Sequence, residues 1–399
     1  MPSPSEVTLE ALSLATSEDP ESELDLAAYK DRPFFFGNDP IDQLSGIKHL
    51  ADNARTLLAA PTLAKTDVPA IAIGAGPSLA GYLDQIRRLQ DRCLIISCDS
   101  AFKGLVAAGI VPHLVTPLER HPSVLDMVPL NAGASFFAGT PVCVPEAVRR
   151  FDRHLFIPGV DRIYDWCCVT GDWRIAYGSS TGTMAAHVAA GYTTGDIYLV
   201  GHDLCYADDG DSHWSGVQPG HRVREIAGYV PGADGTQRPA NYWWLRFRKQ
   251  IGDLASRRGS FINVNAADGR GALIDHTTPG RLPDPRSLPR VNPVQLEETN
   301  EERLHLWRED AMDLAIDAER LLDGLLHATC FAETDILDIV PRRNGHCLAF
   351  YLQSICAQMS YEVRLGRSRE FVLDWFKTAV LNAIDTAIPV FREIAHAAA

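Results

Sequence analysis

The chain has 399 residues, 46% of them hydrophobic and 22% charged, an ordinary globular balance with room for two or three domains or one large domain with a helical addition. Its net charge of −14 argues against a nucleic-acid-binding surface, which needs a basic field, while leaving room for a local basic pocket for a nucleotide. No run approaches the ~18 apolar residues of a membrane span, and the first residues are acidic where a signal peptide is basic and then apolar, so a soluble, cytoplasmic protein without a membrane span is expected. The nine cysteines contain no CxxC pair and read as buried thiols, neither a zinc site nor a disulfide framework.

In chain order, residues 1 to about 25 are acidic and rich in Ser and Pro, the composition of a poorly ordered tail. Ile41 to Ala59 carries Leu44, Ile47, Leu50, Ala51, Ala54 and Leu58 on one helical stripe. From Val68 a βα alternation begins. Ala70–Ile73 is an apolar run of strand length that breaks into Gly74, Ala75, Gly76, Pro77 and Ser78, with a helix expected over about Leu79–Leu89. A strand that turns on glycines into a helix start gathers backbone N–H groups and a positive helix end, which suits a phosphate. Gly74 and Gly76 permit the turn, Pro77 suits a first helical position, and Ser78 can cap or donate to an oxygen. Leu79, however, stands where the third glycine of a GxGxxG fingerprint would be.

Further strands are expected at Cys93–Cys98, His113–Pro117, Ser135–Ala138, His154–Ile157, Asp196–Val200 and Ser260–Val264, and helices at Ala101–Ala108, from Ser179-Ser180-Thr181-Gly182 to about Ala190, and at Asn241–Arg258. Short-spaced alternation of this kind predicts a Rossmann-like, doubly wound and mainly parallel sheet, with ligands at the C-terminal ends of its strands. Asp99, Glu119 and Asp203 each lie just past such an end, and each is also a possible helix cap. Asp208–Gly220 is a loop dense in Asp, Gly and Ser, too irregular for an EF-hand, in which His213 could reach over the sheet edge. After the Pro-rich Pro279–Pro293, residues from Leu296 onward read as strongly helical, with helices at Glu298–Leu326, Leu348–Leu365 and Arg369–Ala398 and no strand. The organisation expected is an N-terminal tail and helical segment over 1–67, the α/β domain over 68–283 and a helical domain over 284–399 suited to partner binding or to a homo-oligomer.

The blocks IAIGAGPSL, IISCDSAFKGLVAAGIVPHLVTPLER, SSTGTMAAHVAAGYTTGDIYLVGHDLCYADDGDSHWSG and FINVNAADGRGALIDHTTPGRLP occur in that order. Together they resemble the central domain of the motility accessory factor (Maf) flagellin glycosyltransferases, which recurs in the MptE-like 6-hydroxymethylpterin diphosphokinases. The resemblance covers Val68 to Pro283. This chain has Glu119 where family members tend to have Asp, and His202 where they often have Gln. What the resemblance implies is a sialyltransferase-like fold and transfer of a nonulosonic acid (sialic, pseudaminic or legionaminic type) from a CMP-activated donor to Ser or Thr of flagellin. Gly74, Gly76, Pro77 and Ser78 would then cradle the donor phosphate, Asp99 and Ser100 would contact ribose or base with Glu119 and Arg120 beside them, and Ser179, Ser180 and Thr181 would bind the sugar carboxylate.

The transfer needs a general base, for which His213 or Asp203 could serve, the histidine because it already titrates near neutral pH. A CMP donor leaves a single phosphate, so no metal is obligatory. The diphosphokinase reading moves a pyrophosphoryl group from ATP and would need Mg²⁺, which Asp99, Glu119 and Asp203 could hold. Two further readings stand beside these. One is a dinucleotide oxidoreductase using the glycine turn and Asp99; the other is an inactive binding or scaffold protein.

Overall fold

The computed structural model describes residues 40–157, 178–216 and 226–297, together with a few isolated positions. The expected acidic tail and C-terminal helices lie almost wholly outside these residues. The chain divides into two compact units. One comprises Met1–Leu58, Asp161–Asp172 and Asn300–Ala399, the other Ala59–Val160 and Trp173–Thr299. The first unit contains nearly all of helix α1 (Pro40–Ala59), whose Leu50 and Ala54 are buried as expected of the stripe, together with Leu57, which that stripe does not include.

The second unit holds the sheet. Its strands in chain order are β1 (Thr62–Leu63), β2 (Ala70–Ile73), β3 (Leu94–Cys98), β4 (Leu114–Thr116), β5 (Phe136–Phe137), β6 (Arg153–His154), β7 (Ile197–Val200), β8 (Gly228–Pro231), β9 (Gln237–Ala240), β10 (Phe261–Asn263), β11 (Thr278–Pro279) and β12 (Leu296–Glu297). Eight of them form one sheet in the order β11-β10-β7-β2-β3-β4-β5-β6. Every described pairing within it is parallel. From β2 the chain steps outward through β3, β4, β5 and β6, then returns to β7 on the other side of β2 and continues to β10 and β11. The order reverses between β2 and β7, and such a switch point in a doubly wound sheet is where a ligand crevice opens.

The short helices α4 (Val124–Met127) and α5 (Pro145–Arg149) fall between β4 and β6 in the chain. Helices cover both faces, and the alternation along β2 shows why. Ala70 and Ala72 face a core shared with Met184, Ala185, Val188 and Ala189 of α6 (Thr181–Tyr192) and with Ile251 and Ala255 of α7 (Tyr242–Arg258). Ile71 and Ile73 face the opposite core, with Leu79, Ile86 of α2 (Leu83–Arg88) and Leu105 of α3 (Asp99–Ala107). A strand buried on both faces needs no polar side, hence the unbroken apolar runs.

Three expectations are corrected. Instead of one helix over Leu79–Leu89, a 3₁₀ segment Pro77–Tyr82 precedes α2, because Leu79 N–H already closes on the Gly76 carbonyl three residues back at 3.1 Å. Asp99 and Ser100 begin α3 instead of preceding it. Leu296–Glu297, read as the opening of the helical region, pairs antiparallel with Thr62–Leu63. Among the described residues no helix is long and apolar enough to cross a membrane, and Cys93, Cys98, Cys143 and Cys205 are buried free thiols as expected.

The central strands carry the stability. Leu199 on β7 is fully buried, so Leu199→Ala should cost about 2–5 kcal/mol in urea denaturation, whereas Leu130→Ala at an 84% exposed position should change stability by no more than about 0.5 kcal/mol.

Candidate functional site at the β2–β7 switch point

The glycine turn after β2 and the Gly201-His202-Asp203 turn after β7 lie against each other. Gly74 N–H donates to the Val200 carbonyl and Gly76 N–H to that of Gly201, both at 2.8 Å. A Cβ on Gly74 would stand 2.5 Å from the Gly201 carbonyl oxygen, and one on Gly201, whose φ is +70°, would stand 2.5 Å from that of Gly74. No side chain fits at either position.

Asp203 turns into this junction. It is 2% exposed, and its Oδ2 accepts the Ser78 N–H at 2.8 Å. A Cβ on Gly76 would fall 2.3 Å from the same oxygen. Burial pushes the Asp203 carboxyl up to about 6, against the opposing pull of Ser78, Arg270 and Arg238. The N–H groups of Gly74, Gly76 and Ser78 are therefore all engaged within the protein, two on carbonyls and one on a carboxylate.

His202 fills the space between the turn and the start of α6. The ideal Cβ position of Gly182 lies 3.6 Å from its Cε1 and 3.9 Å from the Gly74 Cα. The ring is buried, which pushes its pKa down to about 4 despite the nearby Ala72 carbonyl, so the imidazole is neutral at neutral pH. Asp203 Oδ1, His202 Nε2 and Asn265 Nδ2 are buried with no hydrogen-bond partner among the described residues.

Asp99 completes the arc on the β3 side. Its Oδ1 accepts from Ser100 N–H at 2.6 Å and from Ser100 Oγ at 3.0 Å. Burial raises its pKa, while the hydroxyl of Thr181 and the Ser100 donors favour the ionised form. Thr116 Oγ1 donates to the Thr181 carbonyl at 3.0 Å, tying the start of α6 to β4. Ser180 caps α6 through a reciprocal box with Thr183, and Ser179 exchanges two hydrogen bonds with Gln250 of α7, both at 3.0 Å. Both Glu119 and Asp99 act electrostatically on the buried Cys143 thiol. Glu119 and its neighbour Arg120 are half-buried in the segment after β4.

His213 reaches the same place by another route. Trp214 N–H donates to the Ala75 carbonyl of the glycine turn at 2.9 Å, which sets His213 one residue away. The side chain is exposed, and its Nδ1 lies 2.9 Å from Ser212 Oγ. Desolvation by the surrounding chain lowers its pKa.

The structure thus brings Gly74, Gly76, Pro77, Ser78, Asp203, Thr181, Asp99, Ser100 and His213 to one sheet edge, while the side chains of Ser179 and Ser180 are occupied in fixing α6. Residues the sequence reasoning missed are Gln250, Asn265, Arg270 and Arg238. Asn265 Oδ1 accepts the Gly201 N–H at 3.0 Å, and Arg270 lies against Gly81 of the 3₁₀ segment. Arg238 bridges Asp208 and Asp234, both at 3.2 Å. Asn265 and Arg270 stand inside the NAADGRG block, whose polar density was the available signal.

As a set of metal ligands, Asp99, Glu119 and Asp203 fit poorly. Asp99 and Asp203 each spend one oxygen on a backbone amide, and no group of three or more His, Cys, Asp or Glu among the described residues stands close enough to hold an ion.

Because Asp203 keeps its proton more tightly in the folded state, its burial costs stability as pH rises from about 4 through about 6. Asp203→Asn should therefore gain on the wild type by up to about 3 kcal/mol between pH 4 and pH 7, read from urea melts of both proteins across that range. Taking the difference cancels His113 and His202, whose lowered pKa values work in the opposite sense.

Residues 44–209 match the family model described as 6-hydroxymethylpterin diphosphokinase MptE-like. A solved Maf glycosyltransferase from Magnetospirillum magneticum AMB-1 is similar in structure, with a TM-score of 0.55 and 16% sequence identity. That likeness takes in 95% of this chain and 64% of that one, so the chain spans less than two thirds of its length. No curated protein matches the chain. Over residues 44–209 the chain is therefore similar to the MptE-like family, on a Rossmann-like fold shared with a Maf glycosyltransferase.

Proposed function

We propose that the chain is a glycosyltransferase of the Maf type, moving a nonulosonic acid from a CMP-activated donor to a Ser or Thr hydroxyl of flagellin in the cytoplasm, before export. The observation that carries this reading is the convergence of the glycine turn, Asp99 and the start of α6 at the β2–β7 switch point, on a fold shared with a solved Maf glycosyltransferase.

In this reading Asp99 and Ser100 hold the ribose or base, with Glu119 and Arg120 beside them. The Gly74–Ser78 turn forms the surface against which the phosphate lies, and its engaged amides leave charge recognition to the N-terminus of α6. There the Thr181 and Gly182 amides meet the sugar carboxylate. His213 is the general base. With Nδ1–H donated to Ser212, Nε2 is free to take the proton of the acceptor hydroxyl. The hydroxyl oxygen forms its bond to the anomeric carbon, the bond from that carbon to the phosphate oxygen breaks, and CMP leaves with the electron pair. Asp203, shut in and bound to Ser78, holds the turn in place.

A second reading, pyrophosphoryl transfer from ATP, is favoured by the description of the matching family. It requires Mg²⁺, which the three strand-end carboxylates are poorly placed to hold together.

Thermal melting with CMP, with ATP plus Mg²⁺ and with NAD separates the possibilities, since a ligand bound only to the folded state raises Tm. CMP without metal should stabilise the wild type and not Asp99→Ala. His213→Ala should keep the CMP response and lose about 10²–10⁴-fold in kcat. Stabilisation by ATP with Mg²⁺ alone would transfer the assignment to a diphosphokinase.

A further inference from the structure

We propose that Trp214 is the positioning residue for His213: its indole, seated between Gly104 and Gly216, and its backbone N–H, held by Ala75, fix the histidine beside the glycine turn. The inference rests on His213 being the base.

The seat is built from α3, from Gly216 of the loop itself and from the turn after β2. Gly104 lies in the middle of α3, where glycine costs about 0.5–1 kcal/mol relative to alanine, and its φ is not one that calls for glycine. The indole supplies the reason for it. A Cβ on Gly104 would fall 2.5 Å from Trp214 Cζ3, and one on Gly216 would fall 2.5 Å from Cζ2. The indole itself is buried, in the core formed by Ile71, Ile73 and Leu105. Its backbone N–H reaches the third element, the turn after β2, at Ala75.

Without that seat the histidine has little to hold it. The loop is fastened at its other end, where Tyr206 N–H donates to the Pro239 carbonyl at 2.9 Å and Asp208 pairs with Arg238 at 3.2 Å. Between the two ends the described bonds are local. Ala207 N–H closes on the Asp211 carbonyl, Gly210 N–H on the Ala207 carbonyl and Asp211 N–H on Asp209 Oδ1. His213 is exposed, and the hydrogen bond described for its ring goes to the adjacent Ser212. Holding an exposed base to within a fraction of an ångström therefore falls to the buried residue next to it. Trp214 rests through its indole on α3, which begins at Asp99, and through its backbone N–H on the turn after β2, so one residue registers the base against both walls of the proposed donor site.

The test is a double-mutant cycle with CMP-activated nonulosonic acid as donor and flagellin as acceptor. Trp214→Ala should lower kcat about 10²-fold while donor KM and the CMP-induced rise in Tm stay within about twofold of wild type. Trp214→Phe should recover most of the loss, and Gly104→Ala, which crowds the indole without touching His213, should reproduce part of it. Trp214→Ala combined with His213→Ala should be no slower than His213→Ala alone, because both act through one group. Multiplying losses, a lost CMP response in Trp214→Ala, or undiminished kcat would each overturn the inference. A fully active His213→Ala that still binds CMP removes the base and the inference with it, whereas a wild type that ignores CMP counts against the proposed function alone. Hydrogen exchange then decides without substrate: the amides of 212–214 should exchange at least about tenfold faster in Trp214→Ala, and unchanged exchange refutes the seat.

Discussion

At the junction of β2 and β7 two backbone turns touch with no side chain between them, each glycine lying where the other's carbonyl would strike a Cβ. The constraint is mutual, so neither turn can move without the other. It also sets how closely the two strands approach at the point where the sheet reverses order, and everything placed on that edge is measured from it. Beyond the Gly74–Val200 bond, Gly76 N–H on the Gly201 carbonyl and Ser78 N–H on Asp203 Oδ2 hold the contact closed. Both cross from one strand end to the other, over a sequence separation of 125 residues for Ser78 and Asp203.

A carboxylate at the turn has an electrostatic consequence. The amides that a phosphate would occupy in a glycine-rich nucleotide turn are here filled by the protein's own oxygens. Asp203 is in effect a resident anion: burial pushes its carboxyl up to about 6, against the Ser78 amide that favours its charge. His202 next to it does not supply a compensating positive charge, since burial keeps it neutral. The edge therefore combines fixed dipoles, one neutral imidazole and two buried acids, an arrangement that gains from burial only where each polar group finds a partner.

Much of this fold was legible in the sequence because doubly buried strands are short apolar runs. Ala70–Ile73 is read without error, and β3, β4, β7 and β10 lie within the runs expected for them. The Asn241 cap and the Ser180 capping box likewise mark helix starts that composition alone can find. What could not be read were elements whose only cause is long-range pairing. Thr278–Pro279 and Leu296–Glu297 are two-residue, exposed strands with no alternation to betray them, and each exists because a partner strand lies alongside. The β8–β9 hairpin had a usable signal in Asp234-Gly235, but Pro239 inside its second strand speaks against a strand, and the pairing tolerates it at this small two-stranded sheet. Of the candidate site, the residues at strand ends were visible and their mutual engagement was not. Nothing in Gly74-Ala75-Gly76-Pro77-Ser78 announces that its amides would be met by a carboxylate far along the chain.

A chain of net charge −14 proposed to bind an anionic nucleotide sugar faces repulsion at long range, which salt damps beyond about 8 Å. Binding then depends on groups that act only at contact. Helix ends are of that kind, because the field of the terminal amides falls off within a turn. The start of α6 is such an end, already capped by Ser180, tied to β4 through Thr116 and set beside Gly74 across the His202 ring. The capping box leaves the Thr181 and Gly182 amides as donors while preventing the helix from fraying away from them. The rigidity invested in the glycine junction and in the α6 cap thus serves one requirement: a weak, short-range dipole recognises an anion only if it is already in position when the anion arrives.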